Sequence, residues 1–271
     1  MATNGKTRLR EKHEQLIYWS SIGWDIISPR KNKGVYVLGY IKSGTNWLCH
    51  LISDILEIPI LEPWKLNLPR LSPCVHHMHR FIPLDSVRRR TIYMMRDGRD
   101  TMVSRYFHLV REGGIAKKQL DKYLGHSASA DNIRSDMEKF IHFMQTSNVA
   151  TTDYRNHIEH WKKHKDTYTT LRYEDLLADP TGEITRVITE VSNVAPDPDQ
   201  INKVVEQHDF TRLTNRKKGE EDVNSFIRKG VSGDWVNYFT PEAASVFDKY
   251  AGKLLLDMGY ETDPDWASKV R

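Results

Sequence analysis

The sequence predicts an α/β fold: a single domain with a central parallel sheet flanked by helices and a P-loop-like strand–turn–helix near its start. Three observations predict it. Short β-branched and aliphatic runs alternate with stretches of helical periodicity, which favours parallel strands covered by helices on both faces. Two of those runs, VYVLGYI and TIYMM, lead into a basic turn and then a helix, the opening of a βα unit. The chain has 271 residues, 39% apolar and 28% charged, enough for one buried core over 1–271 and unlike a disordered chain.

The elements follow in chain order. Residues 1–30 are polar and then mixed and read as a peripheral N-terminal segment, with Trp19 and Trp24 expected to pack against the body. VYVLGYI (35–41), bounded by Gly34, reads as a buried strand; Trp47, Leu48, Leu51, Ile52, Ile55 and Leu56 then recur at helical spacing. TIYMM (91–95) is the next strand, RDGRD its turn and TMVSRYFHLV its helix. Residues 112–165 read as mostly helical. TYTTLRYE is a third strand ending near Tyr173, with a helix expected after Pro180. Residues 209–234 are charged and rich in turn formers and read as a long loop covering the site. Beyond Pro241, Ala244, Phe247, Tyr250, Ala251 and Leu254 mark a closing amphipathic helix.

Composition narrows the function. Forty basic against 36 acidic residues give +4, too mild for a nucleic-acid binder but compatible with one local anion site. Two cysteines, Cys49 and Cys74, make no disulfide framework. The charged opening MATNGKTRLREKHEQ is not a secretory signal, and the most apolar stretch, WLCHLISDILEIPILEPW, is interrupted by His50, Asp54 and Glu57. A cytoplasmic protein that does not engage a membrane is the expectation; a lumenal catalytic domain trimmed of its anchor is the alternative.

The first turn carries Lys42, Ser43, Gly44, Thr45 and Asn46. In a parallel sheet, ligands bind beyond the carboxyl ends of the strands. Gly44 permits a tight turn, the following helix offers free N–H groups to an anion, and Lys42 adds a charge expected to persist at pH 7 by a wide margin. A plain helix cap also accounts for Ser43 and Thr45. Lys42 precedes Gly44 and no G-K-[ST] follows, which disfavours an ordinary NTP loop. The second turn carries Arg96 at a strand end, with Ser104 eight residues on in the helix. A surface ion-pair cluster also accounts for Arg96, Asp97, Arg99 and Asp100. A third basic element, Arg228, Lys229 and Gly230, precedes Gly233, Asp234 and Trp235. Three separate basic turns point to a ligand with two separated anionic groups.

With these residues in view the chain resembles the sulfotransferases that use 3′-phosphoadenosine-5′-phosphosulfate (PAPS), nearest their soluble, cytosolic-type branch. The runs YIKSGTNW, RDGRDTMVSRYF, LRYEDLLADP and FIRKGVSGDWVNYFT carry the resemblance, in the family's order, over about residues 35–260. The resemblance implies transfer of a sulfuryl group to a hydroxyl or amine of a small-molecule acceptor, leaving adenosine 3′,5′-bisphosphate (PAP), with no metal. It assigns the phosphosulfate end to Lys42, Ser43, Gly44, Thr45, Asn46 and Trp47, with Lys42 also steadying the leaving oxygen and Trp47 stacking on adenine. It assigns the 3′-phosphate to Arg96, Ser104, Arg228, Lys229 and Gly230, and the adenine surroundings to Tyr173 and Phe210. The general base falls in VHHMHRFIP; aligning its proline favours His79, with His76 and His77 as the other choices. An unperturbed histidine pKa near ~6.5 suits that task.

The chain departs from the family at several points. Ile41 replaces a proline, His77 stands where a second lysine adds charge near the sulfuryl group, and Asp209 replaces a small hydroxyl residue. The family's dimer segment reads Val236, Pro241 and Ser245 here, so a monomer or a different dimer is expected. Phe81, Phe107, Tyr106, Met144 and the 209–227 loop are candidates for the acceptor wall, and Glu220, Glu221 and Asp222 for contact with a cationic acceptor. Three other readings stay open: a nucleotide kinase, a non-catalytic nucleotide-binding module, and a zinc site at Cys74, His76, His77 and His79.

Overall fold

In a computed structural model, the described residues are 34–61, 72–81, 84–147, 149 and 153–271, with isolated positions between 16 and 27. Most of the N-terminal segment therefore lies outside them, as does Pro83 of HRFIP. Trp19 is half exposed rather than packed into the body.

Five parallel strands form one sheet in the order β2–β3–β1–β4–β5: β1 (Val35–Gly39), β2 (Ile60–Leu61), β3 (Val75–Met78), β4 (Thr91–Met95) and β5 (Thr169–Arg172). The period-two alternation of strands separates two cores. Val35, Val37, Ile92 and Met94 face one; Tyr36, Leu38, Tyr93 and Met95 face the other. The first core is closed by α1 (Thr45–Leu56), through Leu48, Leu51 and Ile52. The second is closed by α3 (Gly98–Glu112) and later helices, through Met102, Tyr106, Phe140 and Phe247. Between these two helices comes the short α2 (Asp85–Arg88).

The helices after α3 are α4 (Gly114–Leu124), α5 (Ile133–Thr146), α6 (Tyr154–His164), α7 (Tyr173–Ala178), α8 (Pro180–Ser192), α9 (Pro198–Gln207) and α10 (Phe210–Thr214). The closing helix is α11 (Pro241–Phe247), continued by a π turn at Asp248–Gly252 and by α12 (Lys253–Asp257). The third strand stops at Arg172, and Tyr173 opens α7 rather than ending the strand. β3 is the strand that carries VHHM, with His76 stacked on Tyr36 at 4.2 Å and His77 on the opposite face.

The topology locates the site. From β1 the chain crosses toward β3 and β2, and from β4 it crosses toward β5. The carboxyl ends of β1 and β4 therefore flank a switch point, where a crevice opens in parallel sheets. Both basic turns leave the sheet there. Among the described residues no helix is long and apolar enough to cross a membrane.

Candidate active site

The first turn is built by its neighbours. Ser43 donates its backbone N–H (3.1 Å) and its hydroxyl (2.7 Å) to the Tyr40 carbonyl, closing a tight reversal after β1. Lys42 takes a left-handed conformation (φ 70°), unusual for a side chain with a Cβ. Gly44 also has positive φ (100°), and a Cβ there would lie 2.7 Å from the Tyr173 ring. Glycine is required on both grounds. The α1 N-terminus has no side-chain cap and no acidic residue in its first turn, so its amides are left for an anion. Ser43 is spent on the turn and the Thr45 hydroxyl on His77 Nε2 (2.9 Å); neither caps the helix.

The second turn docks on the first. Arg96 donates from Nη1 to the Lys42 carbonyl (3.1 Å), lies 4.2 Å over the Tyr173 ring, and keeps a buried Nε with no partner among the described residues. Asp97, Arg99 and Asp100 are buried, which corrects the surface-cluster reading. Arg99 grips Asp97 (Nη2 to Oδ2, 2.7 Å) and Glu261, between the Trp235 and Trp266 rings at 3.9 and 4.7 Å. Asp100 accepts the Gly233 and Trp235 N–H groups at 2.7 and 2.9 Å. This carboxylate ties the third basic element to the second turn.

That element is preorganised. Arg228 and Lys229 both bond Asp234 at 2.6 Å, and Arg228 lies 4.4 Å over Phe107, one helical turn beyond Ser104. Arg216 holds the loop from beneath by donating to the Ile227 and Arg228 carbonyls. Gly230 has positive φ (67°), and a Cβ there would come within 2.3 Å of the Phe210 ring. Trp47 meets Tyr173 edge-on at 6.2 Å. Arg96, Tyr173 and Trp47 are thus linked by direct contacts, Phe210 packs against Gly230 beside Arg228 and Lys229, and Ser104 lies one helical turn before Phe107. The 209–234 segment is α10 followed by bonded turns, and Asp100 ties its end to the second turn.

Lys42 follows β1 and His79 follows β3, its parallel neighbour in the sheet. His79 Nδ1 is 2.8 Å from the Gly39 carbonyl; a carbonyl can only accept, so Nδ1 carries the hydrogen and Nε2 keeps its lone pair. Burial lowers the His79 pKa below the usual value, and the Arg105 and Lys42 charges add to that against the Gly39 bond. Burial, with the charges of Arg111, Arg96 and Arg105, brings Lys42 down to about 7. This corrects the expectation of a lysine charged by a wide margin at pH 7. Lys42 Nζ lies 4.2 Å over the Phe226 ring. His76 stacks in the core beside Cys74 Sγ (3.4 Å), so it is far from serving as the base, and no metal-holding cluster occurs among the described residues.

Other sequence candidates separate here. Tyr106 and Met144 are core residues, with the Tyr106 hydroxyl on Asp136 at 2.6 Å. Phe81 stacks on His160 at 3.7 Å and lies 4.8 Å from His157. Glu221 pairs with Arg228, Glu220 accepts the Lys217 N–H, and Asp222 the Asn224 N–H. These three carboxylates serve the loop rather than a cationic acceptor. Asp100, Arg105, Arg216 and Phe226 were missed. A lone arginine in the otherwise apolar, buried run around Ser104 was the one available signal.

A parallel sheet with two basic turns at its switch point, and a third tied to them through Asp100, defines an α/β protein whose crevice suits an anionic ligand. The model of the sulfotransferase domain family matches residues 65–259. The chain belongs to that family, the PAPS-dependent sulfotransferases. Sulfotransferase 2A2 of Rattus norvegicus is 29% identical over 253 residues, 81% of this chain and 83% of the relative. Sulfotransferase 2A1 of Homo sapiens is 26% identical over 268 residues, 86% and 88% of the two chains. Among solved structures, mouse sulfotransferase SULT7A1 complexed with PAP superposes with a TM-score of 0.60 at 20% identity, covering 93% of each chain. Retinol dehydratase complexed with androsterone and PAP gives 0.57 at 19% identity, covering 89% of this chain and 85% of that one. These two likenesses bear on the fold.

Proposed function

We propose that the protein transfers a sulfuryl group from PAPS to a hydroxyl or amine of a small-molecule acceptor, with His79 as general base and Lys42 steadying the leaving oxygen. The observation that carries this is the Gly39–His79 bond. It fixes the proton-accepting Nε2 at the carboxyl end of the sheet, beside the strand that leads into Lys42. The Lys42 charge also reaches His79, which supports a shared site.

The residues present suit the donor. The buried, partnerless Nε of Arg96 and the uncapped α1 amides are donors awaiting anions, and the Trp47–Tyr173 pair offers an aromatic surface for adenine. In this reading Lys42, Ser43, Gly44, Thr45 and Asn46 hold the phosphosulfate end, and Arg96, Ser104, Arg228, Lys229 and Gly230 hold the 3′-phosphate. Bound PAPS supplies an activated sulfuryl group on a good leaving phosphate. His79 Nε2 takes the acceptor proton as the new S–O or S–N bond forms. Lys42 Nζ offsets the charge that builds on the bridging oxygen as the old S–O bond breaks. Binding at the remote 3′-phosphate contributes to positioning at the reacting end.

Calorimetric titration with PAP in the absence of magnesium, beside ATP with magnesium, tests the donor. PAP binds and ATP does not if the reading holds. Turnover of PAPS with a panel of phenols tests the base: His79→Ala loses about 10²–10⁴-fold in kcat and keeps its PAP affinity. Binding of ATP–magnesium alone, or full activity of His79→Ala, overturns the reading.

A further inference from the structure

One buried cation in the site has no role in the donor chemistry above. Among the described residues three arginines are buried: Arg88, Arg99 and Arg105. Arg88 holds Asp85, and Arg99 holds Asp97 and Glu261. Arg105 holds no carboxylate among the described residues. Its Nη2 donates to the Val149 carbonyl (3.0 Å), and its buried Nε has no partner there. A guanidinium 9% exposed with one neutral hydrogen bond is costly to keep unless a ligand completes it.

Its position says which ligand. On α3, Ser104 and Phe107 share one face, and Phe107 lies beneath Arg228 at the nucleotide end. Arg105 and His108 share the adjacent face, which looks toward the reacting end. The Arg105 charge depresses Lys42, His79 and His108, with burial the larger cause in each case. The same charge opposes the upward push of burial on the Tyr40 phenol. Tyr40 precedes the lysine turn in sequence, and its ring packs edge-on against Tyr154 and His157. Asp153, the acid that shares Tyr40 as a neighbour, is taken by the Asn156 N–H and the Tyr250 hydroxyl. The groups its charge reaches, Lys42, His79, His108 and the Tyr40 phenol, are cationic or neutral, and the second acid nearby, Glu112, is paired with Arg111.

We propose that Arg105 selects acceptors bearing a carboxylate, so that the substrate is an anionic hydroxy or amino compound, its acid group on the guanidinium and its nucleophile at His79. The proposal rests on the acceptor reading of the same site. Arginine suits the task because its planar fork meets both carboxylate oxygens, whereas lysine offers a point charge.

The test compares 4-ethylphenol with 4-hydroxyphenyl acids whose side chains hold one, two or three methylenes, using PAPS turnover. The best acid exceeds the neutral phenol by about tenfold or more in kcat/KM, mainly through KM. Arg105→Gln and Arg105→Met bring that ratio to about one or below, and Arg105→Lys restores part of it. Calorimetry of the acids against the PAP complex reads the same loss without turnover. A wild-type ratio near or below one for every chain length overturns the proposal, and this comparison stands even if the variants fail to fold. An equal fall of kcat for acid and neutral acceptors in Arg105→Gln also overturns it, since the guanidinium would then serve the sulfuryl group. PAP titration of the same preparation separates the two readings. If PAP does not bind, the sulfotransferase mechanism fails; if PAP binds and the phenols turn over without preference, only the role of Arg105 fails.

Discussion

Raising the pH from 7 to 9 weakens PAP binding through Lys42. In the free protein this lysine titrates at about 7, because burial and the charges of Arg111, Arg96 and Arg105 disfavour its ammonium form. An anionic 5′-phosphate reverses that balance, so the bound state requires the proton. Half of the free protein carries it at pH 7, about a tenth at pH 8 and about a hundredth at pH 9. The apparent Kd therefore rises about fiftyfold over this range, equivalent to about 2.3 kcal/mol. His79 sits below its usual value and is already neutral throughout, and a phosphate monoester is fully ionised above about pH 7. Neither contributes to the slope. Calorimetry in two buffers of different ionisation enthalpy reads the uptake directly, about 0.5 proton per PAP at pH 7 and about 0.9 at pH 8. Lys42→Met binds more weakly and shows neither the slope nor the uptake. A pH-independent Kd in the wild type, or the same uptake in Lys42→Met, refutes the argument.

Three further outcomes follow from the loop and its ties. Gly230→Ala combines a left-handed backbone with a Cβ 2.3 Å from the Phe210 ring and displaces Arg228 and Lys229, and PAP affinity by calorimetry falls at least tenfold. Asp100→Asn replaces an acceptor for the Gly233 or Trp235 N–H by a donor and costs about 1.5–3 kcal/mol in PAP binding by calorimetry. Arg99→Met leaves Asp97 and Glu261 without their cation and costs about 3–5 kcal/mol, read as a fall in Tm of several degrees.

The sequence exposed what periodicity and turn chemistry express. β1, β4, α1 and the two turns after those strands follow from VYVLGYI, TIYMM and the residues that succeed them. β3 was harder, because His76 and His77 interrupt its apolar run; only the structure reveals that His76 is a core ring stacked on Tyr36. Charge runs were the least legible. RDGRD looks the same whether its ion pairs are solvated or enclosed, and enclosure by Trp235, Trp266 and Glu261 comes from 130 to 170 residues away. Shifted acidities, as at Lys42, likewise depend on residues distant in sequence, here Arg96, Arg105 and Arg111. Phe226 and Arg105 lie inside runs that carry the resemblance, yet the resemblance gives them no role, and their meaning lies in what they face.

The clasp around Arg99 also sets an order of events during synthesis. Its guanidinium is flanked by an indole at Trp235 and another at Trp266, and is bound by Glu261, which is 162 residues further along the chain. A ribosome exposes the first two phosphate turns long before it supplies that clasp. Until then Arg99 and Asp97 stay hydrated and the α3 entrance stays loose. Nucleotide binding therefore appears late and abruptly, once Glu261 and Trp266 are free of the ribosome. Chains arrested before that point hold every cradle motif and bind no nucleotide.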